Sequence, residues 1–448
     1  MARLLVPERP VANTTVNSAT RFICHGCGAS IDAALTLPFR CPNAAMNDDV
    51  DHLLLPEDLT TAVTAGASDS AELNPFLRYR HLLSVYRLAR NSGLSDTAWN
   101  EIVNRLDESL LRVDGTGFRI TPMSLQVPLG KAAGVSGRLW VKDETGNVSG
   151  SHKARHLMGV MLYLRVLEAA RLPLADGLRK RRLAIASCGN AAMAAAVIAR
   201  AADWPLDVFI PPDASDNVVR RLKELGAQIN VCERQAGEQG DPCFLRFREA
   251  VSAGAIPFGV QGTENGSAVE GGRTLAFEMA EYFRSVGQDL DALFVQVGGG
   301  ALASALAQGF ALAAETGMIA RSPKIFAVQT AGCAPLDRAW SSMGDLDLSE
   351  VAAHRSRFMW PWELLPVSIA HGILDDETYD WLEIAKALRS TGGQSLVAKE
   401  ALVIKAHQLA CAHTSIRVSA TGSAGLAGVL AVPPEGGNVA VIFSGVDR

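Results

Sequence analysis

Val141-Lys142-Asp143-Glu144-Thr145-Gly146-Asn147-Val148-Ser149-Gly150-Ser151-His152-Lys153-Ala154-Arg155 is the stretch on which the reading of this chain turns. Leu139-Trp140-Val141 reads as a strand, and it runs into a loop of Gly, Asn and Ser. Lys153 then stands at the mouth of a helix, because Leu157, Val160, Met161 and Leu164 recur at helical spacing behind it. Lysine suits imine formation with an aldehyde, since its neutral amine is a nucleophile. A lone lysine at a helix start is ordinarily a solvated surface residue. The segments downstream change that expectation.

Outward from Lys153, short apolar runs alternate with longer helical ones. Leu183 to Ala186 reads as a strand and Asn190 to Ala202 as an Ala-rich helix. Leu206 to Ile210 is a strand, and Asn217 to Leu225 a helix stopped by Gly226. Leu293 to Val297 is a strand leading into three glycines and another helix, and Val439 to Phe443 is a further strand. The alternation predicts α/β architecture with largely parallel sheets.

Three of the junctions carry chemistry. Ser187-Cys188-Gly189-Asn190-Ala191 places backbone N–H groups and a hydroxyl at a helix N-terminus, which suits a carboxylate but also describes a plain capped turn. In Val297-Gly298-Gly299-Gly300-Ala301-Leu302 successive glycines let amides converge on an anion ahead of a helix. The Gly-Lys-Ser/Thr ending of a nucleotide-phosphate loop is absent there. Val441-Ile442-Phe443-Ser444-Gly445 puts a hydroxyl at a strand end, where a serine is most often a turn residue.

Taken in order, these four segments resemble the signatures of the fold-type II pyridoxal-phosphate enzymes, the family of threonine synthase, threonine and serine dehydratases, cysteine synthase and the tryptophan synthase β chain. Glu270-Gly271-Gly272-Arg273-Thr274-Leu275-Ala276-Phe277-Glu278 and Gln329-x-x-Gly332-Cys333-Ala334-Pro335 are similar to further stretches of that family. The resemblance implies two three-layer α/β domains with the cofactor in the cleft between them. The smaller domain would hold residues 153–265, and the larger would combine 110–152 with 266–448. It also implies a cofactor held as a Schiff base on Lys153, which then shuttles the substrate α-proton. Gly298, Gly299, Gly300, Ala301 and Leu302 would take the phosphate, and Asn190 the ring hydroxyl. Ser187, Cys188, Gly189, Asn190 and Ala191 would meet the substrate, and Ser444 would face the pyridine nitrogen. A neutral hydroxyl there does not enforce ring protonation, which favours elimination and replacement over transamination.

Some positions depart from the family pattern. His152 stands where Phe is common in the family, and tryptophan synthase β chains also carry His there. Either it contacts the cofactor phosphate or works as an acid/base group, or it packs as an aromatic. Ala154 replaces the Asp of threonine synthases, and Gly115-Thr116-Gly117-Phe118-Arg119-Ile120-Thr121-Pro122 resembles a stretched form of their Gly-Glu-Gly-x-Thr-Pro element. The expected activity is that of a lyase on a small L-amino acid, threonine synthase-like or threonine/serine ammonia-lyase-like. The alternatives are a cysteine synthase-like β-replacement using O-activated serine, and a non-catalytic cofactor-binding sensor or scaffold.

Residues 1–60 form a separate unit. Cys24-His25-Gly26-Cys27 followed by Cys41-Pro42 resembles half of a zinc ribbon, with Ala44 where a fourth cysteine is expected. His52 or Asp51 would complete a structural zinc site; otherwise the thiols only pack. Residues 61–110 are expected to be helical, from the spacing of Phe76, Tyr79, Leu83 and Tyr86. The 448 residues carry a net charge of -5 and are 48% hydrophobic, which argues against nucleic acid as partner. MARLLVPERP lacks a leader pattern, and the longest apolar run, Ala301 to Ala314, is too short to span a membrane. The expectation is therefore a soluble cytoplasmic protein, and by resemblance a homodimer.

Overall fold

The computed structural model describes residues 19–45, 48–58, 71–238 and 240–446. The N-terminal stretch read as lacking a leader, and all of 59–70, lie outside them. Three short strands come first, β1 (Arg21–Cys24), β2 (Ser30–Asp32) and β3 (Leu54–Pro56), in an antiparallel sheet of order β2-β1-β3. Helices Pro75–Arg78, Ser84–Asn91 and Asp96–Asp114 follow, as the apolar spacing predicts. The Asn74 side chain caps the first by accepting from Phe76 N, and Ser95 caps the third from Ala98 N.

Next come β4 (Met123–Leu125), β5 (Arg138–Asp143), β6 (Leu183–Ala186), β7 (Leu206–Ile210), β8 (Gln228–Val231) and β9 (Ile256–Pro257). β10 (Ala292–Gln296), β11 (Lys324–Thr330), β12 (Gln394–Ala398) and β13 (Asn438–Phe443) complete the order. β6 to β9 form a parallel sheet of order β8-β7-β6-β9. The other strands form a sheet of order β12-β11-β10-β13-β5-β4, parallel except for β4 at its edge.

The alternation of side chains across the six-stranded sheet explains its layers. Leu293 and Val295 of β10, with Ala440 and Ile442 of β13, enter one core against helices Ala268–Ser285 and Ala301–Glu315. Phe294, Val439, Val441 and Phe443 enter another on the opposite face, with Val403 and Leu426. Both strands are buried throughout, which is why they read as unbroken apolar runs rather than alternating ones. The result is a three-layer α/β architecture.

The sequence-predicted strands and helices agree with these elements to within a residue or so at each end. β1 to β4, β8, β9, β11 and β12 had no periodicity strong enough to announce them. Between Ala353 and Trp381 the chain has only two short 3-10 turns, and a connection of that length is usually functional. Among the described residues no helix is long and apolar enough to cross a membrane.

Candidate active site

β10, β13 and β5 are neighbours and run parallel, so their C-terminal ends lie side by side. From those three ends leave the glycine loop Gly298–Gly300, the Ser444 turn and the loop to Lys153. Ligands of open α/β sheets bind at that edge.

The loop to Lys153 is fixed by ions at both ends. Lys142, in β5, donates to Glu278 Oε2 at 2.5 Å, and Arg155 Nη1 meets Glu278 Oε1 at 2.6 Å. Arg155 Nε reaches Glu144 Oε2 at 2.8 Å, and Arg155 Nη1 also donates to Thr274 Oγ1 at 3.0 Å. Burial opposes ionisation of Glu278, but the Arg155 and Lys142 cations outweigh it and hold its carboxyl below the usual range. Asn147 Nδ2 bridges Glu144 Oε2 and Ser151 O at 3.0 and 3.1 Å. Ser149 sits in the left-handed region at φ 55°, with its N–H held by Asp114 Oδ2 at 2.7 Å. Thus Lys-x-Glu and Arg155 on one side, and Thr274 and Glu278 on the other, serve to hold the Lys153–Ala169 helix start against helix Ala268–Ser285.

Burial pushes the Lys153 ammonium down, with Asp375 and Asp380 partly restoring it, so more of the amine is neutral than in water. Ahead of the Ala301–Glu315 helix, Gly300 has φ 100°, and the helix start takes no side-chain cap. The starts of Lys153–Ala169 and Asn190–Ala201 are likewise uncapped by side chains. Helix starts aim their backbone N–H groups and the positive end of the dipole at an anion. His152 N donates to Ser444 Oγ at 3.0 Å, and His152 Nδ1 lies 2.6 Å from the same oxygen. Burial, followed by the Lys153, His156 and Arg155 charges, keeps His152 well below its usual range and therefore neutral. A Cβ on Gly445 would lie 2.6 Å from Asn190 Nδ2, which brings the Ser187–Ala191 loop to the Ser444 turn. In that loop Gly189 N donates to Ser187 Oγ at 3.3 Å and Cys188 is exposed.

The sequence reading missed the segment that clasps the glycine loop. Gly299 N donates to Asp375 Oδ2 at 2.8 Å, Thr378 Oγ1 to Gly298 O at 2.9 Å, and Asp380 N to Gly299 O at 3.2 Å. Burial raises the Asp380 carboxyl to about 8. Leu374-Asp375-Asp376-Glu377 looks in sequence like any solvated acidic turn, and nothing local marks it otherwise.

Buried polar atoms without a protein partner gather around these loops: Asn147 Oδ1, Ser151 Oγ, His152 Nε2 and Asp380 Oδ2. Such atoms are ordinarily satisfied, so the set fits a polar ligand. A lysine whose charge desolvation disfavours for an aldehyde, a glycine loop with an uncapped helix start for a phosphate, and a hydroxyl for a ring nitrogen together fit pyridoxal phosphate.

The family description "Pyridoxal-phosphate dependent enzyme" matches residues 116–445. The chain belongs to that family. L-serine dehydratase of Saccharomyces cerevisiae is 25% identical over 229 residues, which is 50% of this chain and 64% of the yeast protein, so just under two thirds of that relative is spanned. Threonine synthase of Mycobacterium bovis is 25% identical over 318 residues, covering 70% of this chain and 76% of that one. Maize serine racemase superimposes with TM-score 0.57 at 18% identity, over 77% of this chain and 93% of its own. Threonine deaminase isoform 2 of Solanum lycopersicum gives 0.57 at 17%, over 80% and 92%. These likenesses show the fold to be that of the fold-type II pyridoxal-phosphate enzymes.

Apart from this edge, the N-terminal knuckle brings together Cys24, Cys27, Cys41 and His52, whose ligand atoms all lie within 4.8 Å of one another. Cys27 and Cys41 sulfurs are 3.6 Å apart, and His52 Nδ1 is 3.4 Å from Cys24 Sγ. His52 Nε2 is 2.6 Å from Asp48 Oδ2, so a carboxylate orients the imidazole. Asp51, the other candidate ligand, turns away: its Oδ1 accepts from Trp381 Nε1 at 3.1 Å and Arg355 Nε at 3.2 Å.

Proposed function

We propose that this protein is a pyridoxal-phosphate lyase acting on a small L-amino acid by β- or γ-elimination or replacement, in the manner of threonine synthase or the threonine/serine ammonia-lyases. The observation that carries it is the meeting of Lys153, Ser444 and the glycine loop at three adjacent strand ends of one sheet. The bound cofactor supplies an electron sink for the electrons released at the substrate α-carbon. Lys153, whose ammonium is disfavoured by desolvation, holds the cofactor and moves the α-proton. The uncapped starts of helices Ala301–Glu315 and Asn190–Ala201 orient the phosphate and the substrate carboxylate. The domain division at 153–265 follows the four-stranded sheet, and a cytoplasmic homodimer belongs to the same reading.

Ser444 sets the reaction class. Its hydroxyl is neutral and is shared with His152, itself neutral, so no full charge faces a ring nitrogen there. Wild type incubated with serine, threonine and O-activated serine should yield keto acid or a replaced amino acid, and pyridoxamine phosphate only in traces. Ser444→Asp should protonate the ring and lose most native turnover while gaining transamination. Pyridoxamine phosphate as the main product of wild type would rule out the reaction class.

The second proposal is a structural zinc at Cys24, Cys27, Cys41 and His52. Sulfurs bound at about 2.3 Å in a tetrahedron lie about 3.8 Å apart, close to the Cys27–Cys41 spacing. Four protein ligands leave no open position, so the metal would not touch the chemistry. Freshly purified protein should carry about one equivalent of zinc, and His52→Ala should lower that content. Metal analysis giving only a small fraction of an equivalent would leave a ribbon whose thiols merely pack.

A further inference from the structure

The metal cluster and the glycine loop are joined by a short mechanical path. Leu53 and Leu55 share a buried cluster with Val269 and with Ala305, which lies in the helix that the glycine loop starts. His25 N donates to Leu53 O at 2.9 Å. The His25 imidazole, although it stands between two of the cysteines, does not join them: its Nδ1 meets Glu383 Oε1 at 2.9 Å. Asp51, next to His52, holds the fully buried Trp381 through its indole N–H. Trp381 and Glu383 open the helix directly behind Thr378 and Asp380, the two residues that bind Gly298 O and Gly299 O. A Cβ on Gly262 would lie 2.7 Å from Leu53 Cδ1 and 2.5 Å from Asp380 Oδ1, so the knuckle side and the clasp meet at Gly262.

We infer that the metal-filled knuckle positions the cofactor's phosphate seat, with His25, Asp51 and Trp381 as the positioning residues. The inference rests on the zinc reading above. The three short strands have no separate core, since Phe22, Ile31, Phe39 and Leu54 join the main one, and metal binding adds the local order of the knuckle between them. When the metal leaves, His25 and Asp51 lose their fixed places, and Trp381 and Glu383 lose partners. The segment 378–380 then holds the Gly298 and Gly299 carbonyls less firmly, and the loop ahead of the Ala301–Glu315 helix is less well placed for a phosphate. By reciprocity, bound pyridoxal phosphate tightens the knuckle around its metal.

The test is a titration of pyridoxal phosphate into the full chain, read by the absorption of the lysine-bound cofactor, with zinc measured in each sample. Chelation should weaken cofactor binding by on the order of tenfold, and added zinc should restore it. The variant His25→Ala with Trp381→Phe spares every metal ligand and keeps an aromatic ring at 381. It should retain its zinc, bind the cofactor weakly, and lose little more on chelation. Zinc-bearing wild type whose cofactor affinity ignores chelation defeats the coupling and leaves the zinc reading standing, as does a zinc-bearing variant with wild-type affinity. Wild type that never carries metal removes the zinc reading, and this inference with it.

Discussion

Replacing Lys153 by Ala should lower turnover by a factor on the order of a thousand or more, while the protein folds as before. The lysine has two tasks, holding the aldehyde and moving the α-proton, and Ala performs neither. The fold should tolerate the change because the helix start is fixed through Arg155 rather than through the lysine. Burial already disfavours the Lys153 ammonium, so losing it relieves a desolvation cost. Pyridoxal phosphate should still bind at the glycine loop but lack its lysine-linked absorption. The measurement is steady-state turnover beside the cofactor spectrum and a melting curve. Full activity, or a cofactor linked to another lysine, would refute the assignment.

Arg155→Ala should have the largest effect on stability, about 3–5 kcal/mol. Arg155, Glu144 and Glu278 have side chains with no exposed surface, and Lys142 is almost as deeply placed. Removing the guanidinium leaves Glu144 without its cation and Glu278 with only Lys142. A buried carboxylate left in that state costs far more than the intact pair contributes. Arg155→Lys keeps the charge but loses the fork that spans two carboxylates, so it should fall between. The sign of the pH dependence follows from Glu278. Its folded pKa is depressed, so its contribution is present above the unfolded value of about 4.3 and disappears as pH falls through the lower folded value. Urea unfolding should therefore separate wild type from Arg155→Ala clearly at pH 7, and less as the medium becomes strongly acidic. A difference under about 1 kcal/mol at pH 7 would mean that the network is decorative.

Why some of this was legible in the sequence and some not follows from where the signals lie. Lys153, the glycines and Ser444 sit at junctions between strand and helix, and each junction has a local chemical signature. Their order along the chain could be compared with a family before any contact was known. The partners of Arg155 were quoted as similar segments, yet that Glu144 and Glu278 close on one guanidinium is a long-range fact that no spacing encodes. Asp375, Thr378 and Asp380 act through a backbone amide, a backbone carbonyl and a backbone N–H in an irregular segment, so they left no periodicity. His25 was the least legible: a histidine inside a Cys-x-x-Cys knuckle invites a ligand role, and only the fold shows it pointing to Glu383.

The placement of β13 bears on how the molecule is assembled. β13 pairs with β10 on one side and β5 on the other, with Asn438 opposite Arg138. During synthesis β5 and β10 are both complete well before β13 exists, and until then each shows an unpaired apolar edge. The lysine loop and the glycine loop are then parts of two separate half-sheets. Nascent chains in that state are candidates for association through those edges, and closing so distant a pair is slow by topology alone. Loss of β13 would thus leave two half-sheets, each carrying one loop of the site, with no strand to join them.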